Sequence, residues 1–159
     1  LKKHCPISKR FDILNSVNTN VQNGALSLCS IDINASEIQI VGKINTAAIK
    51  RLINVDFQTE DVKMYPGALK HIRRNHPGIL EDYGHLIPDI IANPDFVGQN
   101  PKELNSVELV KAITPHLLLA IKLDPSGYLF VSSFYDMHNG PVKLQKRLAS
   151  GRLVPFTAN

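Results

Sequence analysis

The sequence predicts an α+β fold, with N-terminal helices packed on one face of an antiparallel β-sheet meander. Three observations predict it. Strand-like segments follow one another from Ser106 to Tyr135 with short links between them. Helix-periodic segments come before them, between Asn45 and Ala92. A short basic helical stretch, Val142 to Ala149, comes after. Consecutive strands with short connections pair antiparallel as a meander. Helices gathered on one face of such a sheet leave the other face open or lightly covered, which is where a site can sit.

Taken in order, residues 1–35 are a polar, Asn/Ser-rich lead-in containing NTNVQNG, read as a loosely structured entry segment or a separate small module. Residues 36–159 form the main domain. Glu37 to Ile44 alternates as a strand does, with Ile38, Ile40 and Gly42 on one face. Asn45-Thr46 offers an N-cap to a helix over Ala47 to Asn54. Asp61 to Tyr65 is a short strand punctuated by Pro66-Gly67. Ala68 to Asn75 is a helix ended by Pro77-Gly78. Leu80 to Ala92 carries apolar residues at helical spacing, and Pro88 inside it either kinks the helix or starts a new one. Asp95 to Gln99 is an edge strand, and Asn100 to Asn105 a polar loop.

The meander consists of Ser106 to Ile113, Leu117 to Leu123 and Tyr128 to Tyr135. Asp124-Pro-Ser-Gly127 turns the last two into a hairpin, since Pro125 presets φ and Gly127 accepts positive φ. Strict alternation along the third strand places Tyr128, Phe130, Ser132 and Phe134 towards the core. Leu129, Val131, Ser133 and Tyr135 then share the other face, ending in two hydroxyls that also suit an ordinary solvated strand end. Arg152 to Phe156 closes the chain as a short strand or tail.

At 159 residues the chain is long enough to bury a core without disulfides or metal. The net charge of +4 and pI near 9.1 permit an anionic partner such as RNA without requiring one. Cys5 and Cys29 could close one loop or remain reduced thiols. No apolar run is long enough to span a membrane, and no signal peptide pattern is present. The chain opens on Leu rather than Met, as expected of a piece of a longer or processed polypeptide.

Chemistry-bearing groups concentrate in KHIRRNHP, where His71 and His76 stand among Lys70, Arg73 and Arg74. Imidazoles exchange protons near neutral pH, and guanidinium and ammonium groups suit phosphate oxygens. Together they could cleave a phosphodiester, although composition alone favours a basic surface helix with incidental histidines. Metal binding fits poorly, because the histidines are not four apart and the cysteines lack CxxC spacing. There is no Gly-rich phosphate loop and no GxSxG elbow. Lys111 and Lys122 interrupt apolar strands, either as edge-strand gatekeepers or on an open polar face. Lys143, Lys146, Arg147 and Arg152 cluster near the C-terminus as a solvated helix face or a phosphate-contacting surface.

The run YPGALKHIRRNHPG, IPDIIANPDFVGQNPK, SVELVKAI, LLLAIKLDPSGYLFVSSFYD and KLQKRLASGRLVPF resembles the phage-type nuclease domains of the barnase–EndoU–colicin–RelE superfamily. Such domains occur in prophage proteins and as toxin modules of polymorphic and contact-dependent growth inhibition systems. The resemblance covers roughly Ile38 to Phe156 and rests most on NPDFVG, SGYLFV and SGRLVP. It implies a BECR-like fold with the active site on the sheet's open face. It also implies RNA cleavage without metal or other cofactor, with tRNA one candidate substrate, and the mechanism expected of these groups is attack of the ribose 2′-OH to leave a 2′,3′-cyclic phosphate. The catalytic residues it implies are His71, His76, Lys111, Ser133 and Tyr135. Arg73, Arg74, Lys122, Lys143, Lys146 and Arg147 would bind RNA. It further implies delivery from the cell surface or by secretion into a target cytoplasm, and a cognate, acidic immunity protein. The alternative is a non-catalytic RNA-binding or structural domain of a phage or cell-surface protein.

Overall fold

A computed structural model describes residues 31–159. Cys5, Cys29 and the lead-in up to residue 30 lie outside the described residues. The elements are β1 (Gln39–Lys43), α1 (Thr46–Ile53), β2 (Asp61–Met64), α2 (Pro66–Asn75), α3 (Ile79–Tyr83), α4 (Ile87–Ala92), β3 (Phe96–Gly98), β4 (Ser106–Ala112), β5 (His116–Leu123), β6 (Leu129–Asp136), α5 (Gly140–Ala149) and β7 (Leu153–Pro155). The architecture is α+β, as predicted.

The strands form one seven-stranded sheet in the order β1-β2-β6-β5-β4-β3-β7. Every pairing is antiparallel except β2 with β6, which is parallel. The predicted meander is its centre: β4 pairs with β5 from Ser106↔Lys122 to Ala112↔His116, and β5 pairs with β6. β5 is central, and its Leu117, Leu118 and Leu119 are all buried because the sheet is covered on both sides there.

Local chemistry sets the helices. The Asn45 side chain accepts the Ala48 amide at 3.0 Å and starts α1, and Asn54 ends it in the left-handed region at φ 57°. Pro66 occupies the first turn of α2, where its missing N–H costs nothing. Leu69 and Ile72 of α2 are buried three residues apart, each burial contributing roughly 1.5–3 kcal/mol. Leu80 to Ala92 divides into α3, a 3₁₀ turn over Gly84–Leu86, and α4. Pro88 sits in the first turn of α4, so it starts a helix rather than kinking one. These helices cover one face of the sheet over a core that includes Ile72, Leu80, Ile90, Leu109, Leu119 and Phe134. Ile31, Ile33 and Ala35 also pack against it.

Three expectations need correction. First, β6 does not alternate strictly. Ala120 faces Ser133 but Ile121 faces Val131, so Ser132 is an extra residue in a bulge. The bulge resets the phase, and the core side holds Leu129, Val131 and Phe134, while Tyr128, Phe130 and Ser132 are only half-buried. Second, β3 is not an edge strand, because β7 pairs with it on its outer side. Gly98 makes this possible: a Cβ there would stand 1.8 Å from the Arg152 carbonyl oxygen. Third, the other face of the sheet is half-covered. α5 lies over it, with Leu144 packed in a second cluster with Val110, Leu118, Met137 and Leu153.

Candidate active site

Residues directly opposite one another in neighbouring strands share a face. Tyr135, Leu118, Val110 and Phe96 therefore form one row across the second face, and α5 covers it. The next row is Ser133, Ala120, Glu108 and Gly98. Beyond that come Lys63, Phe130, Lys122 and Ser106. The last two rows floor a strip that is open only in part: Ser133, Phe130, Lys122 and Lys63 are half-exposed, whereas Glu108, Gly98 and Ser106 are buried and Ala120 packs beside Leu148 of α5. Ala120 is small, so the floor dips between Ser133 and Glu108. With strands about 4.8 Å apart, those two residues stand roughly 10 Å from each other.

One wall of the strip comes from α2. β2 pairs only with Leu129 and Phe130 of β6. Past Phe130 the β6 edge has no strand partner among the described residues, and α2 runs beside it instead. At the start of α2, the Tyr65 ring lies 5.9 Å from Tyr128 and 6.4 Å from Phe130. At its end, the His76 imidazole stacks on Tyr135, with centroids 5.1 Å apart and 22° between planes. His71 lies between, exposed, with the Asn75 amide nitrogen 3.1 Å from its Nδ1. It lines a cavity of about 540 Å³ with Tyr65, Lys122, Tyr128, Phe130 and Ser132. His76 lines a neighbouring cavity of about 590 Å³ with Asp82, Thr114, Pro115 and Asp136. Partial burial, and then the nearby His71, hold the His76 pKa below its ordinary 6.5. His76 therefore favours the neutral imidazole, the form that accepts a proton.

The opposite wall is an ion-pair cluster. Glu108 is 4% exposed. Arg152 meets it with two nitrogens, Nε at 2.9 Å among them, and Arg147 Nη1 lies 3.5 Å from Oε2. The Glu108 hydrogen bond raises the Arg152 pKa, against the opposing effect of burial, and the Tyr135 phenol adds a smaller push the same way. Arg152 is thus held on Glu108, on the other side of Ala120 from Ser133 in the same row.

Of the expected catalytic residues, the structure stacks His76 on Tyr135, whose strand face Ser133 shares, and places His71 in a neighbouring cavity beside Ser132. It places Lys111 elsewhere. β4 is an interior strand, and Lys111 points to the helix-covered face, where its ammonium donates to the Asn93 carbonyl at 2.8 Å and pairs with Asp89 at 3.2 Å. Both readings of Lys111, an edge gatekeeper and a group on the open face, are replaced by a strand-to-helix anchor. Among the expected RNA-binding residues, Lys122 lies in the His71 cavity and pairs with Glu103 at 3.0 Å. Arg73 is engaged by Glu81 at 2.8 Å and by the Ile33 carbonyl at 2.9 Å. Arg74, Lys143 and Lys146 are exposed, and Arg147 is drawn onto Glu108.

Glu108 is the residue that sequence reasoning missed. Its signal was present: a lone carboxylate within the apolar strand SVELVKA is buried only if cations meet it. Among the described residues, no group of three or more His, Cys, Asp or Glu side chains is placed to hold a metal ion. No helix among them is long and apolar enough to cross a membrane.

A family model described as phage-Barnase-EndoU-ColicinE5/D-RelE like nuclease3 matches residues 39–143. No curated protein and no solved structure matches the chain. The matched span runs from β1 into the first turn of α5 and takes in both histidines, Glu108, Ser133 and Tyr135.

Proposed function

The chain belongs to the phage barnase–EndoU–colicin E5/D–RelE-like nuclease family, and on that premise we propose that it is an endoribonuclease working by transesterification. The observation that carries this reading is the His76–Tyr135 stack, two residues along β6 from Ser133, with His71 five residues before His76 on α2. That arrangement supports two proton-exchanging groups near the β6 edge, each lining its own cavity.

In the reaction, neutral His76 takes the proton from a ribose 2′-OH. The 2′ oxygen attacks the adjacent phosphorus, and the P–O5′ bond breaks. His71, protonated, gives its proton to the departing 5′ oxygen. The products are a 2′,3′-cyclic phosphate and a 5′-OH, and charge and protons balance without a further reactant. Tyr135 holds the His76 ring flat. Ser133 donates to a non-bridging phosphate oxygen, and Arg152, turned by Glu108, offsets charge on the phosphorane. Lys122 neutralises a flanking phosphate.

The wider reading is a toxin that acts on RNA, with tRNA a candidate, in the cytoplasm of a cell it is delivered to. Its producer would protect itself with an immunity protein whose acidic surface meets the basic strip. The net charge of +4 supports this complementarity.

The test is incubation of the purified chain with total tRNA and with ribosomal RNA in excess EDTA, followed by end analysis. Discrete fragments carrying cyclic phosphate and 5′-OH ends are expected. Intact RNA in the presence of folded protein would overturn the catalytic reading, and salt-sensitive binding without product would identify a binding module instead.

A further inference from the structure

The cavity beside His71 holds more aromatic surface than its packing requires. Tyr65, Tyr128 and Phe130 form a mutual cluster, with ring centroids 5.9, 6.4 and 6.0 Å apart. None of the three belongs to either hydrophobic core, and all three are only half-buried. Cations flank them. The Lys63 ammonium lies 4.8 Å from the centre of the Tyr128 ring and has no ion-pair partner among the described residues. Lys122 stands opposite Phe130 in register. The Tyr65 hydroxyl first, and the Asp124 carboxylate next, push the Tyr128 phenol up to about 12, so the ring stays neutral.

A flat apolar platform between cations suits a flat ring joined to anions on both sides. A nucleobase between two phosphates has that form, and a volume of about 540 Å³ lies within the range of roughly 300–1,000 Å³ typical of small-ligand pockets. Resting on the ribonuclease reading, we infer that this cavity is a nucleobase-stacking subsite that takes one unstacked base of a single-stranded RNA next to the cleaved bond. His71, on its rim, ties the subsite to the chemistry. The consequence is a substrate class. Bases within an A-form duplex are already stacked on their neighbours, whereas loops and bulges can turn a base outward onto an aromatic surface. The enzyme therefore acts on single-stranded segments.

The experiment uses a fully 2′-O-methylated RNA strand, which lacks the attacking hydroxyl, so that binding is separated from cleavage. One internal base is 2-aminopurine, whose fluorescence falls when it stacks. The wild-type chain is expected to quench the probe and to bind the single strand more tightly than its duplex. Tyr128→Ala and Phe130→Ala should each weaken binding by roughly tenfold. Tyr128→Phe, which keeps the ring, should bind as wild type does. Tyr128 lies next to the hairpin turn, so its two variants carry the test if Phe130→Ala fails to fold. Unchanged affinity in folded Tyr128→Ala, or equal binding of duplex, overturns the subsite. A wild-type chain that quenches the probe but cleaves no unmodified RNA keeps the subsite and removes the ribonuclease reading. Cleavage by wild type, with undiminished binding by the alanine variants, does the reverse.

Discussion

The imidazole of His76 lies nearly parallel to the phenol ring of Tyr135, 5.1 Å away, where the end of α2 meets the last turnless stretch of β6. The contact fixes a ring that the helix alone leaves loose, since His76 is the residue just past the last helical position. It also binds α2 to the part of the β6 edge that, among the described residues, lies beyond the β2 pairing.

Tyr135→Phe is expected to retain most cleavage, because the stacked ring remains. Tyr135→Ala removes the surface that orients His76 and should cost more than the phenylalanine variant. His76→Ala and His71→Ala should each lower the cleavage rate by about 10²–10⁴-fold, the usual contribution of a positioned acid or base. Single-turnover rates, with circular dichroism to show that each variant is folded, check all four. Full activity in a folded His76→Ala chain removes it from the mechanism.

The depressed pKa of His76 sets the direction of two pH profiles. As a base, His76 stays neutral to a lower pH than an ordinary imidazole with pKa 6.5, so the acid limb of the cleavage profile should fall below that value. In stability, the unfolded chain takes up a proton near 6.5 before the folded chain does. The unfolded state then binds more protons, and stability rises with pH through that window and is lost as pH falls. Urea midpoints measured across the same range, for wild type and His76→Gln, isolate this contribution.

Arg152→Ala leaves Glu108 buried with only the longer contact to Arg147. Breaking a buried pair in this way costs about 3–5 kcal/mol. Gly98→Ala should give a similar loss without altering any charge, because its Cβ would collide with the Arg152 backbone. Chemical denaturation measures both, and a wild-type midpoint for Gly98→Ala would show that β7 shifts freely.

Lys111→Ala separates an anchor from a catalytic group. The Lys111–Asp89 pair is partly exposed, so its loss should cost no more than about 1 kcal/mol. Cleavage by the folded variant should stay close to wild type. A hundredfold fall in rate with unchanged stability would return Lys111 to the reaction.

Much of the fold was legible in the sequence. The Asp124-Pro-Ser-Gly127 turn, the Asn45 cap and the proline boundaries are local signals, and local chemistry realised them. The bulge at Ser132 was not legible, because SS within LFVSSFYD gives no sign of which residue loses its partner until β5 is aligned beside it. The strand β7 was ambiguous for the same reason: three residues carry little periodicity, and what fixes them is Gly98, far away in the chain. In the site, the histidines and the Ser133–Tyr135 pair stand out by residue type. Lys111 misled because a lysine in a strand does not announce which face it serves. Glu108 and Arg152 are 44 residues apart, and only the folded sheet joins them.

The pairing of β7 with β3 also orders events in time. Translation delivers Glu108 before Arg147, and Arg152 after both. Until Leu153–Pro155 can pair with β3, Glu108 lacks the arginine that makes its shorter contacts. The Glu108 side of the proposed site is therefore completed after both histidines have been made. Vectorial synthesis thus leaves the emerging polypeptide without both sides of the proposed site until β7 is free to fold.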